Sequence, residues 1–310
     1  PQGYYTCVFS AVLPDGRPAE AFQKFAVIRK HRGLFAPAES PFGVDGFFSW
    51  RLKDPGEARA ACEALQRAGI FWVRDRISWN DVQPRPGVWD WSRYDAMQKA
   101  QADEKMRVLQ VFHDTAAWAS VERTAPASIA QRYAPEDSLN LYQFLWNASA
   151  RYKREVAAWE LWNEFDIPVF FLGPAEEYAR VLKASSLGVR GGNPKASVLS
   201  GSVTFGEGLI SFGGETWHDA EGVRMIEKVL ENGGGEYFDI FNVHSYGSAE
   251  AVTGRIRLCR ELLRRYGYDK PVWLTEFGSA STPVMKKTVE PSEREQAAWL
   301  VRAATLALAE

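Results

Sequence analysis

The sequence predicts an α/β fold built on a parallel sheet, and three observations support this prediction. From residue 42 onward, short apolar runs of strand length alternate with helical stretches seven times. A chain of 310 residues with 46% hydrophobic content can bury one large core without dividing into several domains. No glycine-rich phosphate turn follows a predicted strand, which disfavours a doubly wound open sheet. A (β/α)₈ TIM barrel therefore fits the pattern best.

The first 40 residues read differently from the rest. Two strand-like runs, residues 4–10 and 22–29, flank the turn sequence Pro14-Asp15-Gly16, which is typical of a β-hairpin. Because an isolated hairpin is marginally stable in water, we interpret residues 1–40 as an N-terminal β segment, a remnant of a β-sandwich-like module. Residues 41–310 are then predicted to form the barrel domain.

The barrel elements follow in order along the chain. Predicted strands are 42–49, 70–77, 106–112, 156–162, 196–202, 238–243 and 271–275, and predicted helices are 55–68, 90–105, 138–153, 175–188, 223–231, 253–266 and 292–309. The chain reaches Glu310 within the helix after the seventh strand, so either two strands are merged in this interpretation or the barrel lacks its last strand, as we expect. The glycine-rich stretch 205–220 is long for a loop between a strand and a helix, which favours a lid, a substrate loop or plain disorder.

Charge and cysteine content exclude several classes of function. The formal net charge of −2 gives no electrostatic footprint for nucleic acid or an anionic membrane, and no apolar run reaches membrane-spanning length. The three cysteines are widely spaced and the histidines form no HExxH pattern, so neither a disulfide framework nor a metal site is predicted. We expect no cofactor. No signal peptide is visible, and both the compartment and the oligomeric state stay open.

Polar side chains collect where the predicted strands end. In a barrel of this kind the carboxyl ends of the strands form one mouth, where catalytic groups are found. For each residue alone, an ion pair or a hydrogen bond within the core is the simpler interpretation. Taken together, several polar strand ends at one barrel mouth favour a functional site over a set of separate structural contacts. The strand-end residues are Arg74 and Arg76, His113-Asp114, Asn163-Glu164, His244-Ser245-Tyr246 and Thr275-Glu276.

Glu164 and Glu276 are the pair on which a reaction could depend. Glu164 follows a buried strand that carries Trp159 and Trp162, and burial raises a carboxyl pKa toward the range of a general acid. A solvated strand-end glutamate is the alternative. Strands four and seven face each other across a barrel, so Glu276 could lie opposite Glu164, with Arg74 holding it as carboxylate. Retaining glycoside hydrolysis needs two carboxyl groups about 5–5.5 Å apart.

At these residues the chain resembles glycoside hydrolase clan A, the retaining glycosidases with Asn-Glu after strand four and Glu after strand seven. The resemblance covers residues 42–310 and is carried by WELWNEFD, VFHDTAAWAS, FDIFNVHSYG, PVWLTEFGSA and WVRDRISWNDVQPRPGVWDWSRYD. The overall sequence pattern of the chain is similar to that of family 39 and neighbouring family 5 enzymes. Two departures are that Phe165-Asp166 stands where proline is commoner, and that the tryptophan after strand eight has no counterpart.

The resemblance implies a role for most of the strand-end residues. It implies that Glu164 is the acid/base, that Glu276 is the nucleophile, and that Asn163 donates a hydrogen bond to the sugar 2-hydroxyl. By the same resemblance Arg74 and Tyr246 position the nucleophile. His113 and His244 would line the subsite of the sugar that is cleaved off.

The chain has twelve tryptophans and no excess of positive charge. This combination favours neutral ligands with apolar faces, of which sugars are the obvious class. Trp118 and Trp162, together with Trp79 and Trp217, are candidates for stacking on a sugar ring. Core packing is the alternative for each, since tryptophan is often largely buried.

The sequence therefore predicts a retaining β-glycosidase that acts on a carbohydrate substrate. The alternative is a catalytically weak carbohydrate-binding protein derived from such an enzyme, which the intact Glu164 and Glu276 disfavour. A lyase or aldolase would need a Schiff-base lysine or a metal cluster at a strand end, and the sequence shows neither.

Overall fold

The computed structural model describes residues 3–27, 39–52, 54–205, 210–212, 215–217, 219–279 and 292–310. Strands β1 (Gly3–Val12) and β2 (Pro18–Val27) form an antiparallel hairpin around the predicted turn. Its apolar side chains are largely exposed, for example 61% at Phe9 and 64% at Phe22. Within these ranges no helix is both long and apolar enough to cross a bilayer.

Seven parallel strands form the main sheet, which confirms the predicted α/β barrel class. They are β3 (Gly43–Asp45), β4 (Trp72–Ile77), β5 (Arg107–Phe112), β6 (Val156–Leu161), β7 (Ser197–Val203), β10 (Ile240–Tyr246) and β11 (Val272–Gly278). Their spatial order, β11-β10-β7-β6-β5-β4-β3, follows the chain without reversal. A doubly wound sheet would reverse its order at a switch point, so this topology excludes that alternative.

Helices connect the strands on the outside of the sheet. Two three-residue strands, β8 (Ile210–Phe212) and β9 (Glu215–Trp217), pair antiparallel within the long glycine-rich connection after β7. The helices are α1 (Phe48–Arg51), α2 (Pro55–Arg67), α3 (Trp79–Val82), α4 (Ser92–Asp103), α5 (Ala127–Ala130), α6 (Ser138–Arg151), α7 (Ala175–Gly192), α8 (Asp219–Glu231), α9 (Ala251–Arg265) and α10 (Glu293–Ala309).

The first barrel strand is shorter than predicted. The run 42–49 reads as one strand, yet only three of its residues pair with β4, and α1 begins at Phe48. The cause is the buried Asp75 carboxylate, which accepts hydrogen bonds from the backbone N–H of Ser49, at 3.0 and 3.2 Å, and from its hydroxyl, at 2.7 Å. A buried carboxylate must find donors, and here it draws the chain out of the sheet into a helical turn.

The sheet is nearly closed, with β3 and β11 as its two edges. The described residues contain no eighth strand between them, which agrees with the prediction. A cavity of about 410 Å³ lies at this edge, lined mainly by apolar side chains such as Val44, Trp273, Leu274 and Phe277.

The barrel interior changes from apolar to polar along the strands. Near their amino ends, Leu109, Ala158, Leu199 and Ile240 pack into one buried cluster. Because side chains alternate between the two faces of a strand, the residue two positions beyond Ala158 also points inward. That residue is Glu160, which is fully buried. The polar layer therefore begins inside the barrel, one step below the mouth.

Candidate active site

Glu164 and Glu276 meet at the carboxyl ends of β6 and β11. One side-chain oxygen of each lies within 4.8 Å of the other, and His244 completes a three-residue cluster of the same span. His244 Nδ1 is 2.7 Å from Glu164 Oε1, while its Nε2 is 3.7 Å from Glu276 Oε1 and 3.2 Å from Thr275 Oγ1. The two acids, 112 positions apart in sequence, therefore share one cavity.

Glu276 is surrounded by donors. Its Oε1 accepts from Arg74 Nη1 and, at 3.0 Å, from Arg76 Nη2, and its Oε2 accepts from the Tyr246 hydroxyl at 2.5 Å. Burial opposes ionisation of this carboxyl, but the Arg74 charge, the Tyr246 hydrogen bond and the Arg76 charge outweigh it and lower its pKa. Glu276 is therefore an anion at neutral pH.

Glu164 has the opposite environment. Burial, and next the negative charge of Glu276, raise its pKa well above the ordinary value for glutamate. Its backbone has a left-handed φ of 44°, and its N–H donates to Ser202 Oγ at 2.9 Å. Burial and the Arg74 charge lower the pKa of His244, so the imidazole beside Glu164 is neutral. The two carboxyl groups are thus held in different protonation states.

Arg74 connects the groups of the site. Its guanidinium forms a bidentate pair with Glu160, at 2.7 and 2.6 Å, and its Nη2 also donates to Asn163 Oδ1 at 2.7 Å. The arginine is 3% exposed, so its charge acts with little solvent screening. Because Oδ1 of Asn163 accepts from Arg74, the amide nitrogen of Asn163 is the group left to donate to a ligand.

His113 lies at the end of β5 between two aromatic rings, with centroids 5.3 Å from Trp50 and 6.0 Å from Phe170. It is buried, and neither ring nitrogen forms a hydrogen bond with a described residue, although Nδ1 lies 3.2 Å from Asp114 Oδ1. A buried imidazole whose two nitrogens form no hydrogen bond is unusual, which supports a ligand-binding role.

Two of the four tryptophans predicted to stack on a sugar ring are fully buried in the structure. Trp162 is fully buried and its indole N–H donates to the Phe170 carbonyl at 3.1 Å; Trp79 is also fully buried. This burial favours core packing, the alternative left open by the sequence. Trp118 is half-buried and donates to the Gln83 carbonyl at 2.7 Å, so its stacking stays a prediction. The side chain of Trp217 lies outside the described residues.

Sequence reasoning did not select three residues that the structure brings into the site. Arg76 is among the strand-end residues but has no predicted role, and Asp45 and Glu160 are not among the predicted site residues. Asp45 pairs with Arg76 at 2.5 Å and lies 3.2 Å from Arg74. A signal existed for Glu160, because a carboxyl inside an otherwise apolar strand needs a buried cation.

The cluster of Glu164, His244 and Glu276 is the one group in the described ranges whose ligand atoms could surround a metal ion. Two guanidinium groups already neutralise Glu276, and they would repel a dication placed beside it. The donor set therefore suits acid/base and nucleophilic chemistry better than metal binding.

Comparison with known sequences gives one family match. A family model described as glycosyl hydrolase catalytic core matches residues 199–306, which include His244 and Glu276. No curated protein sequence matches the chain.

Solved structures resemble the whole fold at low sequence identity. A family 39 glycoside hydrolase from Bacteroides cellulosilyticus WH2 is 22% identical, with a TM-score of 0.68 over 98% of this chain and 60% of that one. A family 39 β-xylosidase from Caulobacter crescentus is 17% identical, with a TM-score of 0.58 over 86% of this chain and 58% of that one. A structure described among two fungal β-1,4-galactanases is 19% identical, with a TM-score of 0.59 over 85% of this chain and 84% of that one.

The chain thus spans about 60% of the length of the first of these structures. Together, the family model over residues 199–306 and the shared barrel fold confirm that the chain resembles the clan A glycoside hydrolases.

Proposed function

We propose that this chain is a glycoside hydrolase that cleaves β-glycosidic bonds with retention, with Glu276 as nucleophile and Glu164 as acid/base. The observation that carries the proposal is the separation of the two acids, whose oxygens approach within 4.8 Å. Retaining enzymes place their carboxyl groups about 5–5.5 Å apart, whereas inverting enzymes leave about 6.5–9.5 Å to seat a water. The spacing here leaves no room for that water.

The protonation states support the same assignment. The lowered pKa of Glu276 provides an ionised oxygen at neutral pH, and the raised pKa of Glu164 keeps a proton available for a leaving group. Both guanidinium groups hold Oε1 of Glu276. We therefore assign the attack to Oε2, which accepts from the neutral Tyr246 hydroxyl.

The reaction proceeds in two displacements. In the first, Oε2 of Glu276 forms a bond to the anomeric carbon while the bond to the leaving oxygen breaks, and that oxygen takes the proton of Glu164. In the second, Glu164 removes a proton from a water whose oxygen bonds to the anomeric carbon, and the ester to Glu276 breaks. Each step inverts the anomeric centre, so the product has the configuration of the substrate.

Several neighbouring groups suit a sugar ligand. The amide nitrogen of Asn163 is available to donate to a sugar 2-hydroxyl, and the buried ring of His113 has no hydrogen-bond partner among the described residues. The names of the structural neighbours include a β-xylosidase and β-1,4-galactanases, which supports a β-glycoside as substrate. A carbohydrate-binding protein without turnover is the alternative. The lowered pKa of Glu276 and the raised pKa of Glu164 disfavour it.

The test is hydrolysis of a panel of aryl β-glycosides by the parent chain and by Glu276→Ala. We expect the variant to lose at least about a thousandfold in kcat/KM, because the covalent intermediate cannot form. Azide should partly restore turnover of Glu276→Ala and yield the glycosyl azide of inverted configuration. NMR of the first product of the parent should show the β-anomer. A variant as active as the parent, or an α-anomer as first product, would refute the proposal.

A further inference from the structure

Arg76 is fixed from three sides at the edge of the site. Its Nη1 lies 2.5 Å from Asp45 Oδ1, and its Nη2 lies 3.2 Å from Asp45 Oδ2 and 3.0 Å from Glu276 Oε1. The Phe47 ring covers one face of the guanidinium, with the ring centroid 3.4 Å from Cζ. Phe47 reaches this place through a left-handed backbone conformation, with φ 52°. With 4% exposure, the Arg76 side chain has little freedom to move.

The strand register explains why two arginines meet one carboxylate. Arg74 and Arg76 are two residues apart on β4 and therefore point to the same side of the sheet. Asp45 pairs with Arg74 across the neighbouring strand β3, which brings its carboxylate between the two guanidinium groups. Both guanidinium groups contact Oε1 of Glu276. A second buried cation requires a second buried anion, and Asp45 supplies it.

The charges balance differently before and after the first displacement. In the resting site, two guanidinium groups face the carboxylates of Asp45, Glu160 and Glu276. When Glu276 becomes an ester, its charge disappears, and Glu164, which has given its proton to the leaving oxygen, carries a negative charge instead. The two guanidinium groups then face the carboxylates of Asp45 and Glu160. Arg74 keeps its bidentate pair with Glu160, and Arg76 keeps its pair with Asp45. No buried guanidinium is left unpaired in the intermediate.

We propose that Arg76 and Asp45 are positioning residues for Glu276, with Arg76 holding the carboxylate in place and Asp45 balancing the Arg76 charge through the reaction cycle. This inference rests on the proposed double displacement. Neither residue needs to touch the sugar, since both act through the Glu276 carboxylate.

Charged and titratable groups from four strands face Glu276, and any change in its pKa must be read against all of them. They are Asp45 on β3, Arg74 and Arg76 on β4, Glu160 on β6 with Glu164 just beyond it, and His244 and Tyr246 on β10.

Two substitutions should move the pKa of Glu276 in opposite directions. Arg76→Met removes a positive charge and should raise it by about 1 pH unit, whereas Asp45→Asn removes a negative charge and should lower it by about 0.5–1 pH unit. Arg76→Lys keeps the charge and should stay close to the parent. A role in packing alone would give no such opposition in sign.

The pKa can be measured without turnover, by ¹³C NMR titration of chain labelled at the glutamate side-chain carboxyl, with Glu276→Gln to assign the signal. In parallel, the acidic limb of the kcat/KM profile on an aryl β-glycoside should shift with the same signs. We expect kcat/KM of Arg76→Met to fall about 10–100-fold at neutral pH. Arg151→Met is the control, because it breaks a bidentate pair with Asp95 on the outside of the barrel.

The outcomes separate the two proposals. If the NMR shifts oppose each other while the parent hydrolyses no glycoside, the paired roles hold and the proposed function fails. If the parent hydrolyses glycosides while both variants leave the Glu276 signal unmoved, or move it in the same direction, the inference is overturned and the function stands. Should Arg76→Met not fold, a Glu276 pKa that Asp45→Asn lowers and Arg76→Lys leaves unchanged supports the inference, whereas a pKa that Asp45→Asn leaves unmoved or raises overturns it.

Discussion

Two glutamates of identical chemistry acquire different states from their neighbours. Glu276 lies against Arg74 and Arg76, whose charges favour the ionised form. Glu164 lies beside a neutral imidazole and within reach of the Glu276 charge, so the protonated form is favoured. The proposed assignment of Glu164 as acid and Glu276 as nucleophile therefore rests on which glutamate the arginines contact.

At this scale the pH dependence of kcat/KM is predictable in sign. We expect a bell-shaped profile, because activity is lost below the lowered pKa of Glu276, where the nucleophile is protonated, and above the raised pKa of Glu164, where the acid is ionised. Glu164→Gln should remove the basic limb and reduce kcat/KM about 10²–10⁴-fold on a phenyl glycoside.

A dinitrophenyl glycoside serves as the control for Glu164→Gln. Its leaving group needs no proton, so the variant should lose much less activity with it than with the phenyl glycoside. An unchanged basic limb in Glu164→Gln would assign that limb to another group.

At the scale of elements, Asp166 connects the end of β6 to the end of β7. Its buried carboxyl accepts from the backbone N–H of Thr204, at 3.1 and 3.0 Å, and from that of Phe205, at 2.8 Å. Burial raises its pKa to about 6, even though these hydrogen bonds favour the ionised form. The loop that carries Glu164 is thus tied to the neighbouring strand by a residue outside the proposed catalytic pair.

Asp166→Ala should lower the free energy of unfolding by about 1–3 kcal/mol at pH 7, because two buried N–H groups lose their acceptor. The folded state binds the Asp166 proton more tightly than the unfolded state, so the contribution of this group to stability is complete below about pH 4 and decreases as the pH rises to about 6. The cost of Asp166→Ala should accordingly grow as the pH falls through this range.

Urea unfolding at several pH values measures this cost. Asp137→Ala is the matched control, since Asp137 also accepts from a backbone N–H, that of Leu139 at 2.8 Å, but at an exposed helix start. About 1 kcal/mol is expected there. Equal costs for the two substitutions would show that burial of Asp166 adds nothing.

At the scale of the whole molecule, the hairpin and the barrel differ in how they bury apolar surface. Val8, Phe9 and Phe22 on the hairpin are 53%, 61% and 64% exposed, whereas the barrel packs large side chains such as Trp79 and Phe144 with no exposure. The hairpin therefore contributes little hydrophobic stabilisation to the barrel.

We expect a chain that begins at Glu39 to unfold within about 2 °C of the parent, because removing the exposed hairpin uncovers little core. Thermal unfolding followed by circular dichroism measures this, and kcat/KM on the same aryl glycoside serves as the check on the site. A decrease of many degrees would show that residues 1–38 stabilise the barrel, and would contradict the predicted division into two segments.

Much of this architecture could be predicted from periodicity. The parallel strands from β4 onward and the long helices lie close to where the apolar pattern places them, because buried parallel strands and amphipathic helices differ in period and length. The predicted length of the first strand was wrong. Its apolar run does not reveal that Asp75, 26 residues beyond Ser49, captures the chain and starts α1.

The sequence by itself determined the fold class and the residues that end each strand, since both follow from local order along the chain. Only the tertiary structure decided that Asp45, Arg76 and Glu160 belong to the site. Their partners are remote in sequence, and the contacts depend on strand register and on the curvature that closes the sheet. The same curvature brings side-chain oxygens of Glu164 and Glu276 within 4.8 Å of each other, which no spacing along the chain encodes.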